Sequence, residues 1–205
     1  MTPHEADPLV LAGPTLLLRY PEAADAPRLF ELGADPAVTR FFSWGPYTRV
    51  EEPEAYIEGL ALKRERGEAL DFLIAHRVHG PIGITGLSEV VRRDRRAVVG
   101  TWVGHRFWGT GANFEAKALI AALAFRRLGM ERLTAWSSVR NGRSQAALER
   151  IGFRREGVLA AWHRHGAVAH DVVVYGLLRA AWEHGPLHAV PADLQGTPPP
   201  GFVVA

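Results

Sequence analysis

The sequence predicts a mixed α/β (α+β) domain built on one largely antiparallel sheet, with a single parallel crossover near its middle. Three observations carry this. Apolar runs at 70–76, 82–91 and 97–103 are separated only by turn signals, as in an antiparallel meander. After residue 103 the pattern changes: Gly109-Thr110-Gly111 opens the longest amphipathic stretch, and a new strand follows at 132–138. Two further runs, 154–162 and 170–178, read as the last strands.

The elements follow in order. TLLLRY at 15–20 is the first strand, and Pro21 leads into a helix over 23–33, with Gly33 at its C-terminal end. DPAVTRFFSWGPY at 35–47 is an aromatic loop, and a second helix covers 51–66, stopping at Gly67. His79-Gly80-Pro81 and the charged RRDRR run Arg92–Arg96 are the meander's turns. Gly100 inside a strand suggests a bulge or a close backbone approach. The helix opened by Gly111 runs to Leu128, with Arg126 and Arg127 suiting its C-terminal dipole. A short helix at 143–151 ends at Ile151-Gly152-Phe153, which fits a left-handed glycine stop. From Gly185 the chain carries Pro186, Pro191 and Pro198–Pro200 and reads as an appendage outside the core.

Composition sets limits. At 205 residues, 47% hydrophobic and 22% charged, the chain can bury a full core. With no cysteine, thiolate catalysis, disulfides and Cys-ligated metals are excluded. The net charge of +2 and the balance of acidic and basic residues argue against a nucleic-acid binder. The opening MTPHEADPLV lacks the pattern of a secretion signal, and the longest apolar run, Ala118–Phe125, is too short for a bilayer. The expectation is a soluble cytoplasmic protein with no membrane partner.

Two motifs carry chemistry. In Arg106-Phe107-Trp108-Gly109-Thr110-Gly111-Ala112, glycines let the backbone approach a ligand where helical N–H groups and the dipole favour an anion. Arg106 adds a charge-assisted contact, so a phosphate or pyrophosphate is the natural guest. Thr110 stands where a P-loop needs lysine, and Phe114 where a dinucleotide fingerprint needs Gly or Ala, so both are rejected. Read alone, the run equally fits a tight strand-to-helix turn. The second motif is Asn141-x-x-Ser144 followed by Glu149, Gly152 and Phe153; Asn141 and Ser144 also suit the start of a helix. His76-x-x-His79 and His163-x-His165 lack a matched second pair, so no metal is expected.

Together the motifs resemble those of the GNAT superfamily of acetyl-CoA-dependent N-acetyltransferases, and within it the RimJ/RimL type, over residues 9–182. Arg106, Gly109 and Gly111 match Q/R-x-x-G-x-G/A, and Trp108-Gly109-Thr110-Gly111 with Glu115-Ala116 match the branch's form. Asn141, Ser144, Leu148-Glu149, Gly152-Phe153 and Glu156-Gly157 match its second motif. The loop at 35–47 resembles the branch's segment over the acceptor.

The resemblance implies a GNAT acyl-CoA N-acyltransferase fold: a mixed, mostly antiparallel, seven-stranded sheet splayed between strands 4 and 5 and flanked by helices. It implies a domain at 9–182 and a Pro-rich tail at 183–205. Acetyl-CoA, the co-substrate, would lie in the wedge with its pyrophosphate on the N–H groups of Trp108, Gly109, Thr110, Gly111 and Ala112. Backbone at Trp102 and Val103 would pair with the pantetheine, Asn141 would hold its amide, Asn113 would cap the helix or touch phosphate, and Arg143 would reach the 3′-phosphate. Ser144 is the implied acid at the leaving sulfur. The superfamily's usual tyrosine is Leu148 here, and the RimL-type base position is His163; Glu89 and Asp171 are alternative bases. Phe42, Trp44 and Trp136, with Trp102, would wall the acceptor.

The acceptor is expected to be the N-terminal α-amine of a protein or peptide. The alternatives are a small amine (polyamine, amino acid or aminoglycoside) or a catalytically weak acyl-CoA-binding module. Glu51, Glu52 and Glu54 hint at an acidic site suited to polycations, although helix N-termini are often acidic. Pairing into a homodimer is an expectation from the resemblance.

Overall fold

The computed structural model describes residues 8–165 and 167–204. Strands β1 (Val10–Ala12) and β2 (Leu16–Arg19) form a short hairpin. Helix α1 (Ala26–Gly33) follows through a tight turn held by Asp25, whose carboxylate accepts both Arg19 Nη atoms at 2.7 and 2.8 Å and the Glu22 N–H at 2.8 Å. A one-turn helix α2 (Pro36–Thr39) begins the aromatic loop, capped by Asp35, which accepts the Ala37 N–H. Helix α3 (Glu51–Glu65) starts where Glu52 Oε1 accepts the N–H groups of Thr48 and Arg49 and the Thr48 hydroxyl. Its acidic first turn and basic last turn suit the helix dipole.

The meander is β3 (Ala69–His76), β4 (Gly80–Val91) and β5 (Arg96–Val103). Helix α4 (Ala112–Ala122) passes into a wider turn at Leu123–Arg127, where the Leu128 N–H reaches the Leu123 carbonyl. Then come β6 (Arg132–Ser138), α5 (Gly142–Arg150), β7 (Arg154–His165), β8 (Val168–Leu178), α6 (Arg179–Glu183) and β9 (Asp193–Gln195). Helix α5 ends as expected. Gly152 has φ +99°, its N–H donates to Glu149 and the Phe153 N–H donates to Leu148, while Leu148 and Phe153 bury together in the core.

The sheet order is β7-β8-β6-β5-β4-β3-β2-β1-β9, and every neighbouring pair is antiparallel except β5 with β6. The sheet has nine strands where seven were expected. The two extra, β1 and β9, are three residues each, too short to display a period-two pattern. Helices α1 and α3 cover one face through Ala26, Leu29 and Ile57 against Leu73 and Ile84. The main core lies on the other face, with α4 at its centre. Glu115 fixes α4 to β2: its carboxylate accepts the Thr15 and Leu16 N–H groups and the Thr15 hydroxyl.

Two readings are corrected here. Gly100 is neither bulged nor crowded: it pairs with Gly86 in register, and a Cβ there would meet nothing within 4 Å. The ladder's bulge lies on β4 between Ser88 and Val91, with Glu89 at φ +49°. The C-terminal segment is no appendage. β9 pairs with β1, Arg127 donates to the carbonyls of Leu194 and Gly196, and Leu187 and Phe202 belong to the core, Phe202 at 0% exposure. Among the described residues no helix is long and apolar enough to cross a membrane.

Deleting a fully buried aromatic side chain costs about 3–5 kcal/mol. Phe202→Ala should therefore lower the urea midpoint sharply; an unchanged midpoint would show that the segment contributes nothing to the fold.

Candidate active site

Strands β5 and β6 pair only from Arg96↔Arg132 to Val98↔Thr134, although they run on to Val103 and Ser138. Each lip of the resulting gap is held from outside. β4 stays paired with β5 to Gly83↔Val103, and β8 stays paired with β6 to Ser138↔Val172. The gap is the splay expected between the fourth and fifth strands of the seven.

Hydrogen-bond parity decides which groups face the gap. The Gly104 N–H donates to Ile82 on β4, while the Arg95 carbonyl accepts from Glu131 on the β6 side. Even-numbered residues of β5 therefore turn their backbone toward β4, and odd-numbered residues toward β6. Thr101 and Val103 present N–H and C=O groups to the gap; the backbone of Trp102, expected to do so, is turned toward Ile84. The Val103 carbonyl already accepts the Trp108 indole N–H at 3.0 Å.

Beyond β5, a single 3-10 turn at His105–Phe107 leads to the glycine turn. Gly109 and Gly111 have φ +77° and +92°, which reverse the chain into α4, and a Cβ on either would point into open space. Among the described residues, no acceptor meets the N–H groups of Gly109, Thr110 or Gly111. The expectation for Trp108 needs correction, because its N–H donates to the His105 carbonyl. The Ala112 N–H lies 3.4 Å from the Thr110 hydroxyl, longer than a good hydrogen bond. Asn113 is half-buried, and Phe114 packs on the core. Arg106 is exposed beside the turn, its guanidinium 4.6 Å from the Phe107 ring centroid. Arg143 reaches across from α5, its guanidinium 3.5 Å from the Trp108 ring centroid.

On the far lip, Asn141 Oδ1 accepts the Ser144 N–H at 3.2 Å, so Asn141 is the cap of α5. Gln145 Nε2 ties that helix to the carbonyls of Ser138 and Val139. Ser144 is half-buried, and among the described residues its hydroxyl has no hydrogen-bond partner.

The α1–α3 face of the sheet carries an aromatic wall. Trp44 sits 5.4 Å from both Phe42 and Trp102, and Trp136 sits 5.3 Å from His163, between ring centroids. A cavity of about 140 Å³ lies between Phe42 and Ser43 of the loop and Ser138, His163 and Val172 of the sheet. Phe42, Trp44, Trp102, Trp136 and His163 are thus gathered on one face. Glu89 and Asp171 are not. Glu89 lies beyond Ser88↔Val98, at the closed end of the gap, about 13 Å along β5 from Trp102 at the usual strand rise. Asp171 alternates with the cavity-lining His170 and Val172, so it points to the opposite face, and it accepts the Ala161 N–H at a bulge of β7. The acidic hint also fails: Glu51, Glu52 and Glu54 do not line the cavity, and Glu52 is engaged with Thr48 and Arg49. Among the described residues, no three His, Asp or Glu side chains gather as a metal site would require.

The acetyltransferase (GNAT) domain family matches residues 15–154. The N-acetyltransferase p20 of Bacillus licheniformis, itself uncharacterised, is 28% identical over 80% of this chain and 93% of its own. A crystal structure ascribed to an acetyltransferase from T. thermophilus is 31% identical, with a TM-score of 0.76 over 88% of this chain and 95% of that one. The structure of RimL, a ribosomal L7/L12 α-N-protein acetyltransferase in complex with coenzyme A, has a TM-score of 0.73 at 24% identity, over 82% and 96% of the two chains. At that identity the last likeness speaks for the fold. An interrupted sheet, a glycine turn with unpartnered amides and the family match define one class: this chain belongs to the GNAT acetyltransferases. It is an N-acetyltransferase of the family that uses acetyl-CoA as acetyl donor.

Sequence reasoning missed Lys117. It is buried on α4, and its Nζ donates to Thr101 Oγ1 at 2.8 Å. Thr101 donates on to Thr85, and Thr85 to the Gly100 carbonyl, so the chain of bonds ends on β5. No periodicity signals a lysine turned inward. Burial pulls its pKa from 10.5 down to about 7. Between those values the unfolded chain holds a proton that the folded chain lacks, so stability rises with pH across that window, and the full cost of the buried charge is felt below it. Lys117→Met should therefore raise Tm most at about pH 6, with the advantage fading toward about pH 10. A pH-independent difference in calorimetry would contradict the buried-ammonium account.

Proposed function

We infer that the chain transfers the acetyl group of acetyl-CoA to the N-terminal α-amine of a protein or peptide, by direct attack with both substrates bound. One observation carries the reading: gap-facing backbone on β5 continues into a glycine turn whose N–H groups at Gly109, Thr110 and Gly111 meet no protein acceptor among the described residues. A diphosphate satisfies such amides at a helix start, and the pantetheine amides satisfy strand groups left without a neighbour. The open space at Gly109 and Gly111 leaves room for the diphosphate, and β5 and β6 are unpaired beyond Val98↔Thr134, so the residues fit the group. Acetyl-CoA supplies an acetyl carbon activated as a thioester.

The chain's own groups then have assigned tasks. The N–H groups of Gly109, Thr110 and Gly111, with Arg106, hold the diphosphate, and Arg143, placed on Trp108, closes over that end. Thr101 and Val103 align the donor arm, and the Val103 N–H polarises the thioester carbonyl. The side-chain amide N–H of Asn141, without a partner among the described residues, holds the arm from the opposite lip. The acceptor amine attacks only when neutral, a state an α-amine with a pKa of about 7.7–8.0 reaches readily near neutral pH. His163, on the cavity wall, takes its proton and passes it to solvent; as the C–S bond breaks, the Ser144 hydroxyl protonates the departing thiolate and regains a proton from water. The resemblance to RimJ/RimL-type enzymes supports a protein or peptide acceptor. The small volume of the cavity favours a small amine as the second reading.

Thiol release from acetyl-CoA, measured with a panel of N-terminal peptides and a panel of small amines, decides between them. Turnover of peptides is expected; turnover confined to small amines would overturn the acceptor assignment. Removing a general acid costs about 10²–10⁴-fold in rate. Ser144→Ala should therefore lower kcat by at least the smaller factor with little change in CoA affinity, and an equal kcat would remove its role.

A further inference from the structure

The cavity beside the gap is basic on every side. Arg40 enters from the aromatic loop, Arg140 from the turn after β6, Arg164, His163 and His165 from β7, and His170 from β8. Among the described residues no carboxylate lines it. Some arginines elsewhere are paired, as Arg19 with Asp25, Arg28 with Glu31 and Arg132 with Glu156, while others, Arg106 and Arg143 among them, meet no carboxylate among the described residues. Among the described residues, none of the three cavity arginines meets an Asp or Glu. The Arg40 guanidinium lies 5.3 Å from the Phe41 ring centroid, and one Arg164 Nη donates to the Ala167 carbonyl. The Arg140 side chain has no hydrogen bond among the described residues. Asp171, the acid next in sequence to His170, faces away.

Arg40, Arg140 and Arg164 are all exposed, so water and salt screen their mutual repulsion, and an anion seated among them relieves what remains. Guanidinium is also the side chain best shaped to grip a carboxylate. The volume, about 140 Å³, is well above the minimum a single water needs and leaves room for a carboxylate on a short stem. The aromatic wall links this cavity to the gap, through Phe42 and Trp44 to Trp102 on one side and through His163 to Trp136 on the other.

We propose that this cavity is an anion subsite that binds a carboxylate carried by the acceptor close to its reacting amine. The proposal rests on the amine-acceptor reading above and narrows it. The preferred acceptors are N-termini with acidic residues directly after the first position, and polycationic amines are repelled. The same carboxylate chemistry is offered by a free acidic amino acid, which the test separates.

The experiment measures, by calorimetry on the protein–CoA complex, the binding of matched short peptides with free N-termini carrying Asp, Asn or Lys at positions two and three. A second arm compares aspartate with asparagine. In the peptide arm the Asp form should bind about ten-fold more tightly than the Asn form, the ratio that about 1.4 kcal/mol gives, and the Lys form more weakly than either. Arg40→Gln combined with Arg140→Gln should bring the Asp-to-Asn ratio close to one, with CoA titration confirming that the variant is folded. A preference only in the amino-acid arm upholds the subsite and assigns it to small acceptors. Equal or undetectable binding of the acidic and neutral ligands in both arms overturns the proposal, a comparison on the parent protein that needs no variant. Acetyl transfer is followed in parallel. Transfer without acidic preference sinks the subsite alone, whereas acidic preference in binding with no transfer to any amine sinks the acceptor reading alone.

Discussion

The structure depends on one interrupted ladder. β5 and β6 are the only parallel pair among the described strands, and they stay together for three positions before their backbones part. Buried N–H and C=O groups without partners are costly, so the groups facing the gap are satisfied either by water or by a guest that bonds as a strand does. The cost is contained because each lip is anchored to an antiparallel neighbour along its whole length. The gap is thereby a fixed slot, and the glycine turn at its end adds amides of the same unsatisfied kind. Binding and fold thus share one cause.

The polar network behind β5 belongs to the same arrangement. Lys117, Thr101, Thr85 and the Gly100 carbonyl form a chain of hydrogen bonds, the carbonyl its final acceptor, that ends on the strand lining the slot. Glu115, two residues earlier, clamps the same helix to β2. The helix whose N-terminus faces the slot is therefore fixed by polar bonds to two strands as well as by its apolar side, which limits how far the turn at Gly109–Gly111 can drift.

Much of this was legible in the residues. The meander, the crossover helix and the Gly152 stop all rest on local chemistry that the sequence states directly, and two spaced motifs located the slot. What escaped has physical reasons. β1 and β9 are too short for alternation to show. Phe202 stands among prolines and glycines, where no periodic neighbours mark it as core. The exchange of Trp102 for Thr101 and Val103 turns on which way the backbone bonds point, a parity that side-chain patterning on a strand covered on both faces does not reveal. Asp171 and Glu89 suited a base by residue type alone, and only strand register removes them. Arg40, Arg140 and Arg164 sit on three separate segments with no common spacing, so their convergence is visible only in three dimensions.

The central claim is that coenzyme A is held by backbone amides that meet no protein acceptor among the described residues. It is tested most directly by amide NMR during a CoA titration. The account predicts that the Gly109, Thr110 and Gly111 resonances shift downfield as hydrogen bonds form, that Thr101 and Val103 move with them, and that hydrogen exchange at all five slows. Saturable CoA binding that leaves these five amides unmoved would contradict it.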